Sequence, residues 1–261
     1  MTACPLSESQ IAQFHADGFL IVERLFDEEE VALLRRVAKR DRELTARVAE
    51  RRDGQGGVVK LALANELGED IASAFVRCPR LVGPMERFLG GEVYHYHHKM
   101  ILKDPHVGGA WEWHQDYGYW YSLGCLFPDL ASCMVAVDRA GRDNGCLEVV
   151  RGSHRMGRID HGPIGDQTGA DPERVAAALE RLEVVPCVLE PGSAVFFHCN
   201  TLHRSGPNRS PHPRWAFIAC YNAARNNPYK ESRHPRYRFL EVWPDSRIKE
   251  LGRKQLAELG G

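Results

Sequence analysis

One stretch decides the fold class of this 261-residue chain: Val93-Tyr94-His95-Tyr96-His97-His98-Lys99-Met100-Ile101-Leu102. It is rich in β-branched and aromatic residues, which favour strands. Five more short apolar runs are predicted to be strands, at 132–137, 146–150, 184–189, 194–197 and 215–221. Clusters of Gly, Pro, Asn and Asp separate these runs, and that spacing is typical of a sandwich or a barrel.

The region before this stretch predicts helices packed on the outside of a sheet. Ser7 with Gln10, and Asp27 with Glu30, have the spacing of capping boxes, so each pair predicts the start of a helix. The run at 19–22 between the two helices is predicted to be a short strand.

Two further segments complete the organisation. Residues 71–89 have a helical pattern that Pro79 and Pro84 are predicted to break. Residues 156–181 interrupt the series of strands, and they are polar at first and helical from Pro172 onward. We interpret them as an insertion over the mouth of the barrel.

The composition is that of an ordinary globular protein. Hydrophobic residues make up 43% and charged residues 26%, and the formal net charge is -1, so the chain lacks the positive field that favours nucleic acid. No apolar run approaches the ~20 residues that span a bilayer, and the first residues do not resemble a signal peptide. The eight cysteines form no Cys-x-x-Cys motif and are interpreted as reduced thiols. We therefore expect a cytoplasmic protein without a membrane or nucleic-acid partner.

The motif His114-Gln115-Asp116, with His203 far downstream, has the composition of a 2-His-1-carboxylate iron site. On a strand, residues two apart lie on the same side, roughly 6.6 Å apart at Cα. His114 and Asp116 are therefore predicted to face one metal ion together, while Gln115 faces away. Such a site leaves coordination positions open for a cosubstrate and for oxygen.

His203 is favoured as the third ligand, although His198 is an alternative. The residues at 204–208 form a predicted turn that lets the chain return antiparallel, and this return brings Arg214 beside the metal. His198 ends a predicted strand, where it is equally well explained as a buried core residue.

A second group of histidines lies in the opening stretch. Strand alternation predicts that His95 and His97 share one face and that His98 lies on the other. We interpret the three as pocket-lining residues rather than as a second metal site.

Arg214 heads a predicted apolar strand face that continues with Ala216, Ile218 and Cys220. Burying a guanidinium is costly without an anionic partner, and Arg binds a carboxylate through two parallel hydrogen bonds. Arg214 and the Ser205 hydroxyl are therefore predicted to bind the far carboxylate of a dicarboxylic 2-oxo acid whose other end chelates the metal. A structural ion pair with a nearby acidic residue is the alternative.

Taken together, the motifs of this chain resemble those of the phytanoyl-CoA dioxygenase family. They are Trp113-His114-Gln115-Asp116-Tyr117-Gly118-Tyr119-Trp120, Asn144-Gly145-Cys146-Leu147, Gly152-Ser153-His154, and Leu202-His203-Arg204-Ser205-Gly206-Pro207-Asn208 with Arg214. Residues 10–22 are also similar to the opening helix and Asp-Gly-Phe turn of the family. The resemblance covers roughly residues 7 to 225.

The resemblance implies a mainly β fold: a double-stranded β-helix (a jelly roll, cupin-like) with flanking α-helices in a single domain over 1–261. The helical N-terminal part is placed at about 7–90, the jelly-roll core at about 92–225 and a C-terminal extension at about 226–261. The resemblance also implies Fe(II), O2 and 2-oxoglutarate as cosubstrate.

Carried over by position, the resemblance makes His114, Asp116 and His203 the iron ligands. It assigns Arg214 and Ser205 to the distal carboxylate of 2-oxoglutarate.

Lys60 and His97 fall near positions where family members often contact the cosubstrate. Met134 stands where many members have a tryptophan. Related halogenases replace the carboxylate ligand with a small residue, so the presence of Asp116 favours hydroxylation.

The expected reaction is hydroxylation of a small organic or lipid-derived substrate, with release of succinate and CO2. Tyr117, Tyr119 and Trp120 are expected to border the substrate pocket because they flank the metal motif. Two alternatives stay open: a zinc-dependent cupin-like hydrolase or isomerase, and a non-catalytic sensor that binds 2-oxoglutarate.

Overall fold

The computed structural model describes residues 2–260, apart from the side chain of Glu43. Its helices are α1 (Glu8–Asp17), α2 (Glu28–Arg40), α3 (Arg42–Ala46), α4 (Ile71–Arg77), α5 (Pro79–Leu89), α6 (Asp116–Ser122), α7 (Pro172–Arg181) and α8 (Ser246–Glu258). Its strands are β1 (Phe19–Val22), β2 (Val48–Arg52), β3 (Val58–Ala64), β4 (Val93–Lys103), β5 (Trp111–His114), β6 (Leu130–Ala136), β7 (Leu147–Val150), β8 (His161–Ile164), β9 (Gln167–Ala170), β10 (Val184–Cys187), β11 (Ala194–His198), β12 (His203–Ser205) and β13 (Arg214–Ala223). Within this range, no helix combines the length and apolar character needed to cross a membrane.

Two antiparallel sheets form the jelly roll. The larger has the strand order β1-β11-β6-β13-β4-β3-β2, and the smaller has the order β10-β7-β12-β5. Apolar side chains from both sheets pack into one inner core, which includes Ile101, Met134, Leu147 and Ile218. The prediction of a mainly β, cupin-like core with flanking helices is confirmed.

The opposite face of the larger sheet is covered by helices. Phe217 and Tyr221 of β13 alternate outward, where they pack with apolar residues of α1, α2, α4, α5 and α8. Both predicted capping boxes are present at the starts of α1 and α2. The segment before residue 90 also supplies β1, β2 and β3 to the larger sheet, so this sheet extends beyond the predicted core range.

The two prolines of the 71–89 segment behave differently. Pro79 is the first residue of α5 and separates it from α4, as predicted. Pro84 lies inside α5, so the prediction of a break there is wrong. A proline removes one helical hydrogen bond, but α5 buries most of its residues against the sheet, and this packing keeps the helix continuous.

A bulge in β4 changes which histidines face inward. The register between β4 and β13 slips by one residue at Tyr96, and a bulge shifts the alternation of the residues beyond it. His95 therefore lies beside His98, with 3.1 Å between His98 Nδ1 and His95 Nε2. The prediction that His95 and His97 share a face is wrong, because alternation is interrupted between them.

The insertion contains more structure than the sequence predicts. α7 begins at Pro172 as expected, but β8 and β9 form a hairpin in the part predicted to be irregular. β9 lies beside β5, which carries the first residue of the metal motif. The hairpin therefore lies beside β5, the edge strand of the smaller sheet.

Candidate metal centre and cosubstrate pocket

Three buried side chains converge at the inner face of the smaller sheet. His114, Asp116 and His203 each offer one ligand atom, and these atoms lie within 4.8 Å of one another. Asp116 Oδ1 is 3.7 Å from His114 Nε2 and 4.0 Å from His203 Nε2. A metal ion with ligand distances of ~2.1 Å fits among them after a small inward movement. Two imidazoles and one carboxylate on one side of an ion are the donor set of non-haem ferrous oxygenases.

The three ligands come from three elements. His114 ends β5 and pairs directly with His203 of β12. Asp116 is the first residue of α6, so the prediction that it shares a strand with His114 is wrong. The chain turns into the helix at Gln115, and the turn, rather than strand alternation, brings the carboxylate back beside His114.

Hydrogen bonds fix the orientation of both imidazoles. His114 Nδ1 donates to the Glu112 carbonyl at 2.7 Å, and His203 Nδ1 donates to the Thr201 carbonyl at 2.8 Å. Each Nε2 therefore presents its lone pair to the centre. Burial lowers the pKa of both histidines below the ordinary value, so they are neutral, metal-binding imidazoles at pH 7.

Gln115 faces away from the metal, as predicted. Its Nε2 donates to the carbonyls of Gly157 at 2.8 Å and Asn200 at 2.7 Å, and its Oε1 accepts from the Ile159 amide at 2.7 Å. One side chain thus joins the metal motif to the insertion and to the segment before His203.

A cavity adjoins the three ligands. Both sheets contribute to its lining, which consists of Lys99, Ile101, Trp111, His114, Asp116, Met134, Leu147, Phe197, His203, Arg204, Ser205, Arg214 and Ile218. Arg214 and Ser205 are therefore both placed with the metal cluster, as predicted. Met134 also lies here, at the position where the family resemblance leads one to expect a tryptophan.

Arg214 is a buried cation with an unused donor. Its Nη2 donates to the Gly145 carbonyl at 2.6 Å, but no residue in the described range accepts a hydrogen bond from Nε or forms an ion pair with the guanidinium. Burial lowers its pKa to about 10. A buried guanidinium with a free donor fits a carboxylate ligand, and the alternative of a structural ion pair is not observed.

His203 and Arg214 lie on facing sheets. β12 pairs with β5 and β7 of the smaller sheet, whereas β13 pairs with β4 and β6 of the larger. The predicted antiparallel return after His203 therefore does not form, because residues 206–213 cross from one sheet to the other. Arg214 reaches the cavity from the wall opposite His203.

The structure does not bring Lys60 to the site. Its ammonium binds Asp104 at 2.7 Å outside the cavity lining. His97 faces inward but lies behind the cavity, with its ring 4.7 Å from His234 and 5.7 Å from Trp120. A lysine that does line the cavity is Lys99, which sequence reasoning missed, although alternation from His97 along β4 places it on the inner face.

The remaining candidates divide between the site and the core. Tyr119 packs against His114 with ring centroids 5.6 Å apart, and its hydroxyl donates to the Thr168 carbonyl of β9 at 2.5 Å. Tyr117 and Trp120 belong to the inner core rather than to the cavity lining. His198 accepts a hydrogen bond from the Asn200 amide and lies outside the cluster that could hold a metal, whereas His203 belongs to that cluster.

Comparison with known proteins agrees with this geometry. The family model for phytanoyl-CoA dioxygenase (PhyH) matches residues 14–216. The chain is 30% identical to an L-proline trans-4-hydroxylase of Streptomyces griseoviridis, over 89% of this chain and 92% of that one. It is 33% identical to an ectoine dioxygenase of Bordetella bronchiseptica, over 88% of this chain and 80% of that one.

Solved structures give the same fold. The crystal structure of EctD from S. alaskensis with 2-oxoglutarate and 5-hydroxyectoine superposes with a TM-score of 0.79 at 24% identity, covering 94% of this chain and 89% of that chain. Neither a zinc hydrolase nor a sensor is favoured by these relatives. The protein is an Fe(II)- and 2-oxoglutarate-dependent hydroxylase, and the chain belongs to the phytanoyl-CoA dioxygenase family.

Proposed function

We propose that this protein hydroxylates a small substrate that carries a carboxylate. His114, Asp116 and His203 hold the iron, and Arg214 with Ser205 binds the distal carboxylate of 2-oxoglutarate. When bound, the iron would activate O2, the oxidant of the reaction: one oxygen atom would enter succinate, formed together with CO2 from 2-oxoglutarate, and the other would enter the hydroxylated product. The protein orients both reactants and excludes water.

The observation that carries the substrate class is Lys99. Lys99 lines the same cavity as the proposed metal ligands, and its ammonium has no carboxylate partner among the described side chains. β4 and β13 pair Lys99 with Ile218 and Lys103 with Arg214, so Lys99 lies four residues from the level of Arg214. At roughly 3.3 Å per residue this is about 13 Å along the strand. Lys99 and Arg214 therefore lie at two ends of the cavity. We assign the Lys99 end to the substrate carboxylate and the Arg214 end to the distal carboxylate of 2-oxoglutarate.

The relatives support a small acidic substrate. The two relatives above are named after proline and ectoine. Both compounds are small rings, and each carries one carboxylate. An ammonium that pairs with such a carboxylate orients the ring so that one carbon faces the metal. We also propose a cytoplasmic location, which the eight unpaired cysteines support.

The test is succinate formation by the purified protein with Fe(II), 2-oxoglutarate and a panel of small amino and imino acids. Each acid is matched with its amide, which keeps the ring and removes the charge. We expect turnover of acids and little turnover of amides. Lys99→Met should raise the KM for the acid by about 10- to 100-fold, because a charge-assisted hydrogen bond contributes ~1.5–3 kcal/mol.

Lys60→Met is the matched control, since it removes the same charge outside the cavity, and it should leave the KM for the acid unchanged. Substrate-independent consumption of 2-oxoglutarate should persist in Lys99→Met, because the proposed cosubstrate residues are intact. Equal turnover of acids and amides would contradict the carboxylate subsite.

A further inference from the structure

A buried hydroxyl that has not been assigned above forms a hydrogen bond with a proposed metal ligand. The hydroxyl of Ser132, on β6, lies 3.0 Å from Asp116 Oδ2. Ser132 is fully buried and Asp116 is almost so. Oδ2 is the carboxylate oxygen that does not face the two histidines, since Oδ1 makes both of the short approaches to their Nε2 atoms.

The direction of this hydrogen bond follows from its neighbours. Ser132 Oγ is also 3.2 Å from the sulfur of Cys220, its direct partner across β6 and β13. A serine hydroxyl has one proton, and a carboxylate is a much stronger acceptor than sulfur. Ser132 therefore donates to Asp116. Burial raises the pKa of Cys220 to about 12, so its sulfur is a neutral thiol, which competes weakly with the carboxylate for the serine proton.

Each of the three proposed ligands thus has a hydrogen-bond partner for the polar atom that does not face the metal. Backbone carbonyls hold Nδ1 of His114 and Nδ1 of His203, and Ser132 holds Oδ2 of Asp116. The carbonyl partners are supplied by the backbone of the same segment, two residues before each histidine. Ser132 is different, because its hydroxyl comes from a distant strand of the larger sheet.

We propose that Ser132 is a positioning residue for the metal centre: its hydroxyl holds Oδ2 of Asp116, so that the carboxylate meets the metal through Oδ1 alone. This inference rests on the proposed ligand set. A carboxylate that binds through one oxygen occupies one coordination position, which leaves three of six open beside two imidazoles. Binding through both oxygens leaves two, too few for a chelating 2-oxo acid and oxygen together.

The test is titration of metal-free protein with cobalt(II), followed by its visible absorption, which reports both affinity and coordination geometry. Ser132→Ala should weaken cobalt binding by about 10- to 100-fold, as is typical when a partner of a ligand is removed, and should change the absorption spectrum. Ser132→Thr keeps the hydroxyl and should restore both. Asp116→Ala gives the affinity and spectrum of a centre that lacks its carboxylate.

Ser73→Ala is the structural control. Ser73 is equally buried, but its hydroxyl accepts a hydrogen bond from the Gly68 amide far from the metal ligands. This variant should lower Tm without changing cobalt affinity or the spectrum. If Ser132→Ala binds cobalt like the wild type while Asp116→Ala does not, the role of Ser132 is refuted and the ligand set stands. If Asp116→Ala also binds normally, the proposed ligand set itself is wrong.

Discussion

Arg214 shows how one buried side chain carries a functional requirement. The cost of burying its charge is not offset by any acidic partner in the described residues, and one of its donors has no acceptor. Nε of Arg77 and Nε of Arg80 also lack a hydrogen-bond acceptor, but those two guanidiniums each form an ion pair with a glutamate, whereas Arg214 forms none with the described side chains. We propose that the missing partner is the distal carboxylate of 2-oxoglutarate.

Arg214→Met tests this assignment. It removes the charge and keeps an unbranched side chain, so the KM for 2-oxoglutarate should rise by about 10- to 100-fold, while kcat at saturating cosubstrate changes little. The variant should also lose its preference for 2-oxoglutarate over 2-oxovalerate, which has no distal carboxylate. Steady-state succinate and CO2 assays measure both quantities.

The same substitution at Arg35 is the control. Arg35 is half-exposed and binds Asp138 at 3.3 Å, outside the cavity lining. Arg35→Met should leave the KM for 2-oxoglutarate unchanged. If Arg214→Met also has a normal KM, the cosubstrate carboxylate binds elsewhere.

Much of the site was predictable from the sequence because its residues carry specific chemistry. The ligands, Arg214 and Ser205 were all predicted, and the structure brings all five side chains to one cavity. Lys60 was also predicted to contact the cosubstrate, but it lies outside the cavity lining. The position of a lysine relative to a family motif does not show whether its side chain faces inward. Alternation along β4, by contrast, places Lys99 on the inner face.

At the scale of elements, the insertion is held by the metal motif itself. The Gln115 side chain makes three hydrogen bonds to two segments. In addition, the backbone N–H of Gln115 donates to His161 Nε2 at 2.9 Å. Gly118 permits this arrangement, because any Cβ at that position would overlap the His161 ring. Gln115 therefore holds the segment that leads into the β8–β9 hairpin, while the Tyr119 hydroxyl holds the hairpin itself at the Thr168 carbonyl.

Gln115→Glu should loosen the segment that contains the β8–β9 hairpin. The substitution keeps the shape but replaces an amide donor by a charged oxygen that faces two carbonyls, and each buried unsatisfied polar group costs ~1–3 kcal/mol. Amide hydrogen exchange in residues 157–171 should accelerate by at least about tenfold. Gln255→Glu is the control, because Gln255 uses its oxygen as an acceptor for the Ile71 amide and glutamate retains it. Unchanged exchange in Gln115→Glu would show that other contacts hold residues 157–171 in place.

The elements that sequence reasoning missed have common physical causes. A bulge at Tyr96 is set by how β4 pairs with β13, and pairing partners are not encoded locally. The helical start at Asp116 depends on a turn that follows β5, and the β8–β9 hairpin is short and polar. Capping boxes, by contrast, are local hydrogen-bond patterns, and both were predicted correctly.

At the scale of the whole molecule, buried histidines link stability to pH. Burial lowers the pKa of His98, His198 and His234 to about 4. In the unfolded chain a histidine titrates near pH 6.5. Between these values the unfolded state binds more protons than the folded state, so the free energy of unfolding must fall as pH falls from about 6.5 towards 4.

The expected slope is up to ~1.4 kcal/mol per pH unit for each such histidine. Urea unfolding of the metal-free protein at several pH values between 7.5 and 5.0 measures it. His198→Asn should make the curve shallower, since asparagine can still accept from the Asn200 amide but does not titrate. A free energy of unfolding that is level or rises towards pH 5 would contradict this prediction.

The placement of His203 and Arg214 on facing sheets has a consequence for the choice of 2-oxo acid. Sheets that pack face to face stay ~10 Å apart, because interdigitated side chains fill the gap. Two of the proposed iron ligands, His114 and His203, lie on the smaller sheet and Arg214 lies on the larger one, so the core packing fixes the distance between the metal and the guanidinium. We therefore expect an oxo acid one carbon shorter or longer to reach only one of these two groups, and selectivity for the cosubstrate then depends on the hydrophobic interior of this enzyme as much as on any polar contact.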